Sequence, residues 1–329
     1  VKKEANMNRN PAIYIFCLLG LFFLPLISQG EIASITPEKP KWGDTIRVTY
    51  NPRAEGAAFL PGDDVYAVFH ISLENGADQK WIKMEKTGDV FFGDIPVEEG
   101  MAYLNIYFIT LENWDRKVNI STMINREEGV PARGANQHKM ISSSPDEYMD
   151  YFRRERELYP DNFAVFRDKW FLLGAFDKAN LLSTVEKDMA ILEKNLSEPS
   201  DELLYSLSHG YMFMDREPEA RKMLRILMSK YSKSFYTGYA IRNYDYQVFS
   251  KRIKGDGSEE VKTMMKKLFT ENPLSFFTRE QIAYFVNDED VSFDVIRSVC
   301  DPWMKEEQDN PLPYSILAEA YAKKTTEQE

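Results

Sequence analysis

The chain has 329 residues, 43% hydrophobic and 13% aromatic, enough for two ordinary domains with cores of their own. Its 41 basic against 52 acidic residues leave a net charge of −11. That balance opposes the counterion release behind non-specific nucleic-acid binding, and no basic run offsets it, so no nucleic-acid partner is expected.

Residues 1–30 read as a short upstream stretch followed by an export signal. Met7 is the better initiator, Arg9 supplies the positive n-region, and residues 13–27 form an apolar run. Ser28 and Gly30 place small residues before Glu31, as a cleavage site requires. The run falls short of the roughly 20 residues that a spanning helix needs, and Pro25, Ser28 and Gln29 cut it off. Membrane contact is therefore expected only through this signal. Of the two cysteines, Cys17 leaves with the signal and Cys300 stays alone, so the mature chain has neither a disulfide nor a CxxC pair.

Residues 31–125 carry a β pattern. A weak first run spans 33–36, and Ile46, Val48 and Tyr50 then alternate with Arg47 and Thr49. Further runs cover 64–72, 79–86, 90–97, 101–110 and 117–124, separated by turn residues such as Asn75-Gly76 and those at 87–89 and 98–100. Short β runs at this spacing predict an immunoglobulin-like β-sandwich, without the Cys…Trp…Cys core of antibody domains.

Residues 126–142 keep no period and read as a linker. From 143 to 329 the period turns helical. Ser144 and Glu147 form a capping box with Pro145 at the first helical position. Helices follow at 162–176, 184–195, 201–214, 218–231 and 259–270, then from Thr278 with Gln281, at 292–307 and at 313–324. Residues 201–232 match a tetratricopeptide repeat, a helix pair of about 34 residues, at Leu204, Leu207, Ser208, Tyr211, Ala220, Leu224 and Leu227. Tyr314, Leu317, Ala318 and Tyr321 repeat the first half of that pattern; residues 236–287 keep it poorly. The second half is due where the sequence stops, at Glu329, so a truncated TPR-like α-solenoid is expected.

No residue in this pattern is expected to be catalytic, and no metal or cofactor is expected. His70, His138 and His209 have no second ligand at metal-binding spacing. Cys300 lies in a helical pattern beside Asp301, the setting of a buried thiol rather than an activated one. The GxSxG, GxxxxGK[ST] and GxGxxG signatures are absent.

Binding is the remaining chemistry. Trp81 and Trp114 in the β region could stack on sugar rings, and the rhythm around Trp81 is loosely similar to starch-binding modules; Trp114, between Asn113 and Asp115 in a turn, is the one expected to be exposed. Tyr205, with Tyr211 and Phe213, could line a groove for an extended peptide, although packing between helices is what the repeat needs Leu204, Leu207 and Tyr211 for.

The segments ITPEKPKWGD (35–44), VTYNP (48–52), DDVY (63–66) and the stretch 81–100 resemble the front of exported bacterial thioredoxin-like proteins. That resemblance implies a sandwich and repeat-like helices ahead of a thioredoxin domain, in the periplasm or cell envelope of a Gram-negative bacterium. The thioredoxin domain is absent from this sequence, so no catalytic residue carries over. The leading expectation is a non-catalytic binding and scaffolding region that contacts a protein partner or the missing C-terminal domain. The alternatives are the N-terminal part of a thiol–disulfide oxidoreductase and a carbohydrate-binding module. Helix 313–324 is expected to be the least protected of the array in hydrogen exchange, because a terminal repeat lacks a covering neighbour; strong protection there would mean that the array closes on itself.

Overall fold

A computed structural model describes residues 32–249, 258–286, 291–308 and 310–326. The export signal expected at 1–30, Cys17 included, and the chain end at Glu329 lie outside the described residues. The fold is mixed: antiparallel sheets in the N-terminal half and helices in the C-terminal half. Among the described residues, no helix is long and apolar enough to cross a membrane.

The first sheet has the order β1 (Ala33–Thr36), β2 (Thr45–Tyr50), β6 (Val90–Pro96), β5 (Glu85–Thr87). The second has the order β4 (Gly76–Lys83), β3 (Tyr66–Leu73), β7 (Met101–Ile109), β8 (Trp114–Met123). Alternation decides the core. Ile46, Val48 and Tyr50 of one sheet share a buried cluster with Ala67, Phe69, Ile71, Leu104, Ile106 and Phe108 of the other. The run expected at 79–86 is two strands in two sheets. At Met84, which is buried and donates its N–H to the Val65 carbonyl at 2.8 Å, the chain leaves one sheet for the other.

Residues 126–142, read from the sequence as an aperiodic linker, hold the ribbon β9 (Asn125–Glu127) and β10 (Val130–Pro131) and then helix α1 (Ala135–Ile141). Ala132, Ala135 and Ala102 form a small core of their own, with Trp42 and Met123 packed against it. Small residues let α1 approach the sheet closely, which the absence of a long apolar period concealed.

Among the described residues, ten more α-helices follow: α2 (Tyr148–Leu158), α3 (Ala164–Phe176), α4 (Lys178–Leu192), α5 (Asp201–Phe213), α6 (Glu217–Lys230), α7 (Phe235–Phe249), α8 (Ser258–Glu271), α9 (Phe276–Phe285), α10 (Phe293–Glu306) and α11 (Leu312–Thr326). They form two rows. Helices α1, α3, α5, α7 and α9 each contact the next, while α4, α6 and α8 pair with α3, α5 and α7. Leu204, Leu207, Ala220, Leu224 and Leu227 are fully buried in the single helical core, with Trp170 its largest enclosed side chain. Cys300 is buried there too, and burial with Asp301 nearby pushes its thiol up to about 12, the inert setting expected.

Ser200, Ser275 and Ser292 cap α5, α9 and α10 by accepting from Leu203, Thr278 and Val295 N–H groups. Thr278, expected to open α9, is instead the residue whose amide is capped. At Ser144 only half a capping box forms: its backbone N–H donates to the Glu147 carboxylate at 3.4 Å, but its hydroxyl donates to the same carboxylate at 2.7 Å instead of accepting an amide, and α2 starts after this turn. Helix α7, FYTGYAIRNYDYQVF, spreads its aromatic residues too evenly for a helical period to show in the sequence; in the fold it contacts α5, α8, α9 and β4.

Two glycines set helix spacing. A Cβ on Gly238 would overlap the Phe277 ring of α9, and one on Gly210 would overlap the Met189 side chain. Gly238→Ala should lower stability by about 1–3 kcal/mol, because a ring wedged between helices cannot yield. Gly210→Ala should cost less, since the methionine can swing away. Urea unfolding at unchanged m-value measures both; a neutral Gly238→Ala would refute the close approach.

Candidate functional site

The outward face of the second sheet turns toward the inner helical row. Helix α1 contacts β7 and β8, while α7 and α9 contact β4. Because Ala67, Phe69 and Ile71 point into the β core, His70 points the other way, and Tyr103, Asn105 and Tyr107 share its face across β7. The two layers are pinned at their edges. Arg279 of α9 meets Asp78 of β4 at 2.5 Å. The Arg133 amide donates to Glu74 at 3.2 Å, and the Arg133 guanidinium grips Glu202 of α5 at 2.9 and 2.7 Å.

Between those pins the side chains close a ring. Tyr103 stacks on His138 of α1 at 6.0 Å, and His138 feels the Asp168 carboxylate of α3. Asp168 accepts from Arg167 at 2.7 Å and, on its other oxygen, from Gln137 at 2.6 Å. Arg167 interacts electrostatically with Tyr205 of α5 and Tyr239 of α7. The Tyr239 hydroxyl donates to Glu280 of α9 at 2.7 Å, and Arg242 reaches the same oxygen at 3.3 Å. One turn before Glu280, the Phe276 ring lies edge-on to His70 at 6.4 Å, and His70 bonds the Tyr107 hydroxyl, back on the sheet.

The ring is not sealed from solvent. His70, His138, Arg167 and Tyr239 lie deep enough for burial to shift or oppose their charged forms, yet each keeps accessible surface. Burial drives the His70 imidazole down to about 4, and its Nε2 accepts from Gln79 at 2.8 Å, so this ring is neutral at physiological pH. His209, with Arg167 adding to burial, falls to about 3. Its Nδ1 donates to the Tyr205 carbonyl at 2.9 Å, which leaves the buried Nε2 an acceptor with no donor among the described residues. Burial works against the charge of Arg167, but Tyr205 and the Asp168 carboxylate beside it outweigh burial and raise its pKa.

The sequence-derived candidates fall on these walls. Trp81 and Trp114 sit on the two edge strands of the outward face, where Trp81 approaches Tyr66 at 6.4 Å and Trp114 approaches Tyr107 at 6.0 Å. Trp114 opens β8 instead of occupying a turn, and it is half-buried with Arg116 over its ring at 5.7 Å. Tyr205 is buried, packed between His209 at 4.6 Å and Tyr236 at 5.2 Å, so it builds the wall more than it lines the opening. Sequence reasoning missed Arg167, Tyr239, Arg242 and Glu280. Their signal was a partly exposed stripe at one-turn intervals on inner-row helices: Arg167 and Phe171; Phe235, Tyr239 and Arg242; Phe276, Glu280 and Ala283.

A separate surface hollow of about 380 Å³ lies beside α4, lined by Glu186, Met189, Ala190, Glu193, Met214 and Arg216. Arg216 is already paired there with Glu219 at 2.8 Å, and Glu193 accepts from the Tyr211 hydroxyl at 2.9 Å. Among the described residues, no group of three or more His, Cys, Asp or Glu side chains is placed to hold a metal ion. No family model, no curated protein and no solved structure matches this chain.

Stability should carry the mark of the neutral histidines. Below their ordinary 6.5 the unfolded chain takes up protons that folded His70 and His209 refuse until about 4 and about 3, so their contribution to stability is lost as pH falls. Glu202, pushed up to about 7 by burial despite Arg133, acts in the opposite sense. The difference between the unaltered chain and His209→Gln isolates the histidine. Between pH 6.5 and 5 the variant should lose about 1.1 kcal/mol of unfolding free energy per pH unit less, the full one-proton slope being reached only below that window. Equal slopes would place His209 in water.

Proposed function

We propose that this chain is an exported binding module of the cell envelope, an immunoglobulin-like β-sandwich at 31–125 joined to a TPR-like helical array at 143–329, which holds an extended segment of a protein partner in the cleft between them. The observation that carries the reading is the closed ring of side chains from Tyr103 through Arg167, Tyr239 and Glu280 to His70 around accessible surface. The architecture is supported by two four-stranded antiparallel sheets sharing one core and by helices paired in two rows. Five inner helices set side by side present successive side chains at regular spacing, which suits a chain in extended form. The rigid supports make the cleft pre-organised: buried ion pairs anchor both edges, so little ordering entropy is lost on binding.

A protein segment fits better than a sugar. Stacking on a sugar ring needs an open aromatic face, and here Tyr239 packs between Phe235 at 4.6 Å and Phe277 at 5.4 Å while Arg116 covers Trp114. Selection from a library of random linear peptides of about ten residues, each spanning about 33 Å when extended, tests the reading. Enriched peptides should lose at least about tenfold in affinity, about 1.4 kcal/mol, in Tyr107→Ala and Tyr239→Ala proteins of unchanged circular dichroism. No enrichment, or tryptophan quenching by polysaccharides in its place, would refute it.

A further inference from the structure

The cations of this region differ in how far they are committed. Arg133 gives both guanidinium nitrogens to Glu202, Arg279 is shared by Asp78 and Glu307, and Arg242 is bonded to Glu280. Arg167 gives only Nη1, to Asp168 at 2.7 Å. Among the described residues, its Nε and Nη2 hydrogens meet no acceptor, although about a quarter of the side chain remains accessible. Its orientation is fixed from three sides. Asp168 is held by Gln137, the Phe171 ring lies 5.4 Å from the guanidinium carbon, and Tyr205 and Tyr239 stand within electrostatic reach. A guanidinium withdrawn from bulk water with donors to spare is costly in isolation and a ready site for a planar anion.

We propose that Arg167 is the anchor of the cleft and binds a carboxylate of the held segment, an Asp or Glu side chain or the chain's own C-terminal carboxylate. The inference rests on the binding reading above and names the chemistry of its occupant. The remaining Nε–H and Nη2–H pair matches the two oxygens of a carboxylate in one plane, the bidentate geometry that arginine provides and lysine does not. Local charge favours a monoanion. Arg167 and Arg242 are balanced by Asp168 and Glu280, so a dianionic phosphate would meet no net positive field. A single carboxylate needs only the open fork, with which it forms charge-assisted hydrogen bonds. Aromatic walls on either side take the apolar side chains that flank it.

The peptides enriched from the random library supply the probes. Each is synthesised in its selected form, with Asp and Glu changed to Asn and Gln, and with the C-terminus amidated. Binding to the full chain should weaken at least about tenfold in one of the neutralised forms, which identifies the side chain or the terminus as the source. In Arg167→Gln that ratio should collapse to about one while weak binding of every form persists. Arg167→Lys should restore part of the affinity but not the full ratio, because the charge remains and the fork is lost. Thermal unfolding of each variant confirms that the protein is folded. Three outcomes would overturn the proposal: selected peptides with no carboxylate preference, a preference that survives in Arg167→Gln, or Arg167-dependent binding of an acidic polysaccharide such as polygalacturonate with no peptide bound. The first two leave the peptide-binding reading standing; the third removes both.

Discussion

The ion pair between Arg133 and Glu202 is the contact on which the remaining geometry depends. Arg133 sits between the β9–β10 ribbon and α1, its amide bonded to Glu74 at the β3–β4 turn and its guanidinium bidentate on α5. Glu202 also accepts from the Phe163 amide at the start of α3 at 3.3 Å and from the Tyr236 hydroxyl of α7 at 3.4 Å. One carboxylate thus gathers three inner helices, and one arginine ties them to the sheet. Withdrawing both charges from water costs several kcal/mol, and such a pair is stable only when the remaining lone pairs are satisfied. Here they are. The pair specifies a register between the halves rather than adding much net stability.

A second buried network extends that register along the inner row. Glu155 of α2 is fully enclosed and accepts from the Gly134 amide and the Asn162 side chain, each at 2.7 Å. Asn162 donates again to Gln137, which holds Asp168, which orients Arg167. The route from the domain junction to Arg167 is therefore a chain of hydrogen bonds with few alternatives, since every other member is buried and would lose a partner by moving. At the far edge, Arg279 does for α9 and β4 what Arg133 does for α5 and the turn. Between these anchors, the Tyr239–Glu280 bond and the Phe276–His70 contact bring sheet and helices together, with both His70 and Tyr239 still partly accessible.

The division of labour between the halves follows from their periods. A sheet with one face on its core offers the other face as a flat array of side chains at regular spacing. That face is unusually aromatic here, with Tyr66, Trp81, Tyr103, Tyr107 and Trp114 across four strands. Left in water it would be an exposed apolar patch. The inner helical row covers part of it, through α1 on β7 and β8 and through α7 and α9 on β4.

Much of the mixed fold was written in the sequence. Strand runs such as 45–50 and 101–109 announce themselves because alternation at period two is a local property of the backbone. The helix pair at 201–230 does so because Leu204, Leu207, Ala220, Leu224 and Leu227 must meet inside it. The buried, inert state of Cys300 was legible from its neighbours. What escaped was whatever depends on elements far apart in the chain. The alanines that make 126–142 structured have no period to read, and the sheet switch at Met84 is invisible in one continuous β run. The candidate site was legible only in part: Trp81, Trp114 and Tyr205 lie beside the ring of side chains between sheet and helices, while Arg167 and Glu280 looked like ordinary surface charges of amphipathic helices. Local sequence determines which face of each element is apolar. Only tertiary structure decides which polar faces are turned toward one another, because the ion pairs that fix that choice join residues 69 and 201 positions apart.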